Sequence, residues 1–232
     1  MVEKVLMARL HELKPDASFN RIRSLLDRYS DFVAQAGKSV RRMSPEKLET
    51  LLQSLEPSRR DGMIARLENE ISIFEHMIVA KEPLANPARQ LWRYLLATKQ
   101  VPCSDIFDKI RPMDTIQVFG VDHRLLFASL NFYDHISFTL EQVFCETWHQ
   151  AVRRDRKVEE TLYAAFMRVI SGEVRHTIEG EPPHLVEEVD TEMMLKSDLR
   201  VKWISPAFLK ENNSKLVSII SVVEISNHQE KG

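Results

Sequence analysis

A chain of 232 residues with 44% hydrophobic content has apolar side chains for one large or two small cores, and a length prior of roughly 100 to 200 residues per domain favours two. A formal net charge of −2 argues against a nucleic-acid partner as a property of the whole chain. No apolar run approaches the roughly 18 residues of a membrane span, and Met1 to Leu10 has no long apolar h-region, so a cytoplasmic location and no membrane partner are expected. The halves differ in charge. Residues 1–100 carry 17 Lys and Arg against 13 Asp and Glu, residues 101–232 carry 15 against 21, and such modest excesses read first as solvated faces. Cys103 and Cys145 stand far apart without CxxC or Cys/His ligand spacing, so neither a disulfide framework nor a zinc site is expected.

The first hundred residues predict helices. Asp16 or Ser18 caps a helix whose apolar positions Phe19, Ile22, Leu25, Leu26, Tyr29, Phe32 and Val33 recur at three- and four-residue steps until Gly37. Ser44-Pro45-Glu46 joins a capping hydroxyl to a proline suited to the first helical position, opening a short helix with Leu48, Leu51, Leu52 and Leu55 that Pro57 stops. Ser58 caps a longer helix striped with Met63, Ile64, Leu67, Ile71, Phe74 and Ile78; Asn86-Pro87 opens another with Leu91, Trp92, Leu95 and Leu96. Residues 101–114, bounded by Pro102 and Pro112, read as an interdomain connection with a short helix from Ser104 to Ile110.

After residue 114 the pattern changes. Two β-rich runs, Ile116 to Phe119 and Leu125 to Ala128, flank a polar Asp122-His123-Arg124 turn. Ser137 to Cys145 and Val158 to Ile170 read as helices, the second with a stripe of Leu162, Tyr163, Phe166, Val169 and Ile170 and a stop at Ser171-Gly172. From Leu185 to Ile225 β-branched runs are broken at 196–198 and 210–214, short gaps that predict three consecutive antiparallel strands. The expected fold is α+β: an all-helical domain (1–100), the connection (101–114), a domain with a five-stranded antiparallel sheet (115–226) and a tail (227–232).

That second half resembles the PAS sensory superfamily. Its members read as a hairpin, then short helices with an Asp-Arg cluster before a longer helix, here Trp148 to Arg156, then three closing strands, here around Val201-Lys-Trp203 and Leu216 to Ile225. The resemblance implies a cavity between sheet and helices, with Phe127, Trp148, Phe166, Met167, Ile170 and Trp203 as candidate ligand contacts. It also implies regulation rather than catalysis, pairing as a homodimer through Leu91–Leu96 and Ser104–Ile110, and a signalling partner. No cofactor is assigned. The Val158–Ile170 helix has no histidine for haem, and Asn131 is followed by Phe132 rather than the cysteine of flavin-adduct relatives. Asp155 reads as the N-cap of the long helix, and Arg153 to Lys157 as the densest basic run. Glu187, Glu188, Asp190 and Glu192 read as an exposed strand edge rather than a metal site. No nucleophile elbow, phosphate loop or zincin motif is present, and six glycines leave little for a backbone phosphate cradle. A ligand-free interaction scaffold, and behind it a small cone-shaped α+β enzyme using Asp134 and His135, are the competing readings.

Overall fold

The computed structural model describes residues 17–145, 151–189, 191 and 193–228. Helix α1 (Ala17–Gln35) buries Ile22, Leu26, Tyr29, Phe32 and Val33 along one stripe. It ends where Gly37 takes φ 74° and the Lys38 N–H reaches back to the Val33 carbonyl at 3.0 Å. Helix α2 (Pro45–Ser54) begins under the Ser44 hydroxyl, which accepts from the Lys47 N–H, and α4 (Pro87–Ala97) begins under Asn86, which accepts from the Arg89 N–H. Between them, α3 (Pro57–Val79) starts two residues earlier than a Ser58 cap would place it. Pro57 is its first residue, and Glu56 occupies the cap position without a side-chain bond. The proline cannot extend α2, yet its fixed φ suits a helix start, so one residue serves as stop and start. On α3 the buried stripe runs through Ile73 and Phe74 to Met77, and Ile78 is 44% exposed. Tyr29 and Phe32 of α1 both pack on the Phe74 ring at 5.6 Å between centroids.

The chain then enters a curled antiparallel sheet of eight strands: β1 (Gln100–Pro102), β2 (Thr115–Gly120), β3 (Leu125–Ala128), β4 (Val152–Arg154), β5 (Ile178–Glu179), β6 (His184–Glu188), β7 (Lys196–Leu209) and β8 (Asn212–Asn227). Its path is β3-β2-β8-β7-β6-β4. The expected hairpin is β2–β3 and the expected closing meander is β6–β7–β8, but the count of five falls short by three. β1, β4 and β5 are two or three residues long, too short to show alternation. Two of them pair with the edge of the 14-residue β7 that β8 leaves open: β6 covers its start, β5 pairs at Ile204 and Trp203, and β1 at Ala207 to Leu209. Residues 101–114 therefore lend a strand to the sheet, followed by a 3-10 helix at Ser104–Lys109.

Helix α5 (Leu140–Cys145) is shorter than expected, and α6 (Arg156–Ile170) starts two residues earlier, with the Asp155 carboxylate accepting from the Lys157 N–H at 2.8 Å. The sheet is covered on both faces. One face carries Ile116, Val118, Ile220 and Val222 into a core shared with α1 to α4. The other carries Leu199, Val201, Ile204, Ile219 and Val223 toward Leu162 and Val169 of α6. Strand β2 is accordingly buried at all six positions.

Polar groups lock the helical layer to the sheet half. Glu70, with no exposed surface, accepts from Tyr29 Oη at 2.9 Å and from Arg66 Nε at 2.8 Å, and Tyr133 donates to Tyr29. Buried Glu141 on α5 takes Arg42 Nε at 2.7 Å and the Met43 N–H at 3.0 Å. Glu188 corrects the exposed-edge expectation. It is buried and accepts from the Ser137 N–H and hydroxyl, from Thr191 Oγ1 and from the Leu195 N–H, so it ties a loop to β6. Ser137, which supplies two of these bonds, lies 51 residues away, where no local pattern reveals it.

Candidate ligand-binding site

A cavity of about 140 Å³ lies between α6 and the sheet face that α6 covers. Its floor is Gln117 and Phe119 of β2, Ser221 of β8, and Leu199 and Val201 of β7; its roof is Leu162, Tyr163 and Phe166 of α6. The floor follows from register. Gln117 pairs with Ser221 and Phe119 with Ile219, so these residues share the face of Val223 and Val201, while Ile116 and Val118 turn to the helical core.

Three further groups shape the rim. His123, at the β2–β3 turn with φ 63°, stacks on Tyr163 with centroids 5.6 Å apart and so carries the hairpin tip over α6. Arg154 ends β4 immediately before the Asp155 cap, which places it where the sheet hands the chain to α6. Glu159 sits in the first turn of α6 on the exposed side. Burial pushes the Arg154 guanidinium below its ordinary pKa, with Glu159 opposing.

Two polar groups in this apolar chamber have no side-chain partner among the described residues. Gln117 is 3% exposed, and its Nε2 donates to nothing among the described residues. Arg154 likewise has no hydrogen bond or ion pair within 4.0 Å among them, so Glu159 acts on it only through space. Native interiors pair most buried donors such as the Gln117 amide, and an orphaned one costs about 1–3 kcal/mol, whereas Arg154 is only partly buried.

Of the residues singled out from sequence, Phe166 lines this cavity. Ile170 packs on the same apolar cluster farther along α6, and Met167, on the outer side, is 37% exposed. Phe127 belongs to the opposite face, fully buried and stacked on Tyr94 at 4.9 Å. Trp148 lies outside the described residues. Trp203 does not share the face of Val201: a bulge at Lys202 shifts the register, pairing Val201 with Val223 but Trp203 with Val222. Ile204 takes the inward place, and Trp203 lies half-buried under Lys109 Nζ, 3.8 Å from its ring centroid. The bulged Lys202 extends its amine to buried Asp114 at 2.8 Å.

Gln117, Arg154, His123 and Ser221 were missed. A glutamine within Ile116-Gln-Val-Phe119 reads as the solvent side of a half-buried strand; only a strand covered twice turns it inward. The described residues contain no cluster of three His, Cys, Asp or Glu side chains able to hold a metal ion, and no helix among them is long and apolar enough to cross a membrane. Neither Cys103 nor Cys145 forms a disulfide among the described residues. No protein-family model matches the sequence, and no curated protein matches it significantly.

Proposed function

We propose that the chain is a non-enzymatic regulatory protein: its PAS-like second half senses a small ligand in the cavity beneath α6, and its helical layer relays occupancy to a signalling partner in the cytoplasm. The observation that carries this reading is the placement of β2. Gln117 and Phe119 meet the cavity while Ile116 and Val118, the alternate residues of the same strand, are packed into the core of α1 to α4. A shift of β2 on one face is therefore felt on the other, because close-packed interiors transmit strain. A ligand biases the helical layer only by its differential affinity for two packings of it. The hairpin, helical middle and closing meander support the PAS-like assignment.

Homodimerisation belongs to the same proposal. On α4, Leu91 and Leu95 are consumed by the core, but Trp92 and Leu96 remain 48% and 56% exposed, with Trp92 against Phe107 of the 3-10 helix. That outward apolar pair is the seam expected for a twofold assembly.

Native mass spectrometry of freshly purified protein reads bound small molecules and oligomeric state together. Amide hydrogen exchange, with and without the bound molecule, then reads the relay. Slowed or accelerated exchange in α1 and α3 on occupancy is the expected result. An effect confined to α6 and the sheet would overturn the relay, and a monomer at high concentration in sedimentation would overturn the dimer.

A further inference from the structure

The cavity is apolar on its walls and donor-rich at one side. Phe119, Leu162, Phe166, Leu199 and Val201 supply the hydrocarbon surface. Among the described residues the Arg154 guanidinium has no acceptor and the Gln117 Nε2 donates to none. The Ser221 hydroxyl can donate or accept beside them. Arg154 is partly buried at the cavity, where desolvation penalises its charge and no described carboxylate lies within 4.0 Å, so an anion entering there gains a charge-assisted partner.

From this geometry we infer that the ligand of the cavity is a small organic monocarboxylate with an apolar body, its carboxylate held by Arg154 and the Gln117 amide and its hydrocarbon part packed between Phe119 and Phe166. The inference rests on the sensing function proposed above and names its ligand class. A planar guanidinium pairs two carboxylate oxygens in parallel, and the amide N–H adds a further donor to one of them. Three features narrow the class. The volume, about 140 Å³, falls below the roughly 300–1,000 Å³ of drug-sized sites and suits a small acid rather than a nucleotide. The aromatic and aliphatic walls reject an anion with no hydrocarbon, such as inorganic phosphate, because they offer it no hydrogen bonds. The Glu159 carboxylate at the rim repels a second negative charge, which selects a monoanion.

The experiment is calorimetric titration of the full chain with benzoate, phenylacetate and isovalerate, each beside its amide, and with benzyl alcohol and inorganic phosphate. Methyl NMR of Leu162, Leu199 and Val201 locates the probe. At least one acid is expected to bind tenfold or more tightly than its amide while shifting those methyls, and phosphate is expected to be silent. Arg154→Gln, with its circular dichroism unchanged, should abolish the preference for acid over amide. Gln117→Leu should weaken the acid by about three- to tenfold, the loss of one hydrogen bond. Acids, amides and benzyl alcohol binding alike in the cavity would overturn the carboxylate class and leave the sensing function standing. Phosphate binding as well as the acids, or an acid preference that survives in Arg154→Gln, would overturn it too. If no probe, benzyl alcohol included, moves the cavity methyls, the carboxylate class and the sensing cavity fall together.

Discussion

Burial decides what each polar side chain does here. Glu70 is raised above the usual carboxylate range by burial and pulled back by Arg66, with Tyr29 completing its hydrogen bonds. Removing it strands a buried guanidinium, so Glu70→Ala is expected to lower unfolding free energy by about 3–5 kcal/mol in a denaturant titration. Phe127→Ala should cost a similar ~3–5 kcal/mol as a large-to-small change in a closed core, whereas Trp203→Ala, half-buried beneath Lys109, should cost only about 1–2 kcal/mol. Equal losses for the two would show that the Trp203 ring is as enclosed as that of Phe127. Two histidines add a pH dependence. Burial lowers the pKa of His135 and of His184 from 6.5, so on acidification the unfolded chain takes up protons first. At His135 the nearby Lys38 pushes the same way and Asp134 the other; at His184 Arg154 pushes the same way, while the Pro182 carbonyl and Glu181 oppose. The stability is therefore fully present above about pH 6.5 and falls as pH drops through the two folded-state values. Denaturation midpoints between pH 7 and pH 5 should drop less in the His135→Gln, His184→Gln double variant than in the unsubstituted chain.

At the level of elements, β7 organises the sheet half. Its bulge at Lys202 moves Trp203 to one face and Ile204 to the other, and the bulge is accommodated by Gly180, whose N–H donates to the Lys202 carbonyl at 3.0 Å. A Cβ on Gly180 would lie 2.2 Å from the Val201 carbonyl oxygen, closer than any real contact, and the obstacle is backbone rather than a flexible side chain. Gly180→Ala is expected to destabilise by about 1–3 kcal/mol as an overpacking change and to shift the Val201 methyl resonances at the cavity floor. An alanine variant as stable as the parent would mean that the bulge relaxes freely.

Taken whole, the molecule is two layers of packing around one central strand, since the cluster containing Ile22, Leu67 and Leu91 continues without a break through Ile116 and Phe127 to Val222. Helices that bury their stripes against the sheet cannot lose it without exposing those stripes to water. Far-ultraviolet dichroism, fluorescence of Trp92 on α4 and fluorescence of Trp203 on β7 should therefore report one coincident thermal transition in a chain whose other tryptophan, Trp148, is replaced by phenylalanine. A Trp92 transition separated from that of Trp203 would mean that the helical layer unfolds on its own.

Features that depend on near neighbours are legible in the amino-acid sequence. Ser44-Pro45, Asn86-Pro87 and Asp155 start helices because a cap and the N–H it accepts are two or three residues apart, and the stripes of α1, α4 and α6 follow from a 3.6-residue period. The same locality made the β2–β3 hairpin and the closing meander legible. The packing of one layer on another settles which way Gln117 points, that Arg154 lines the same cavity, that Glu188 is buried, and that Trp203 leaves the cavity face. Each of these depends on a second layer, a bulge or a partner dozens of residues away, and side-chain type at a single position carries no record of what the rest of the chain brings beside it.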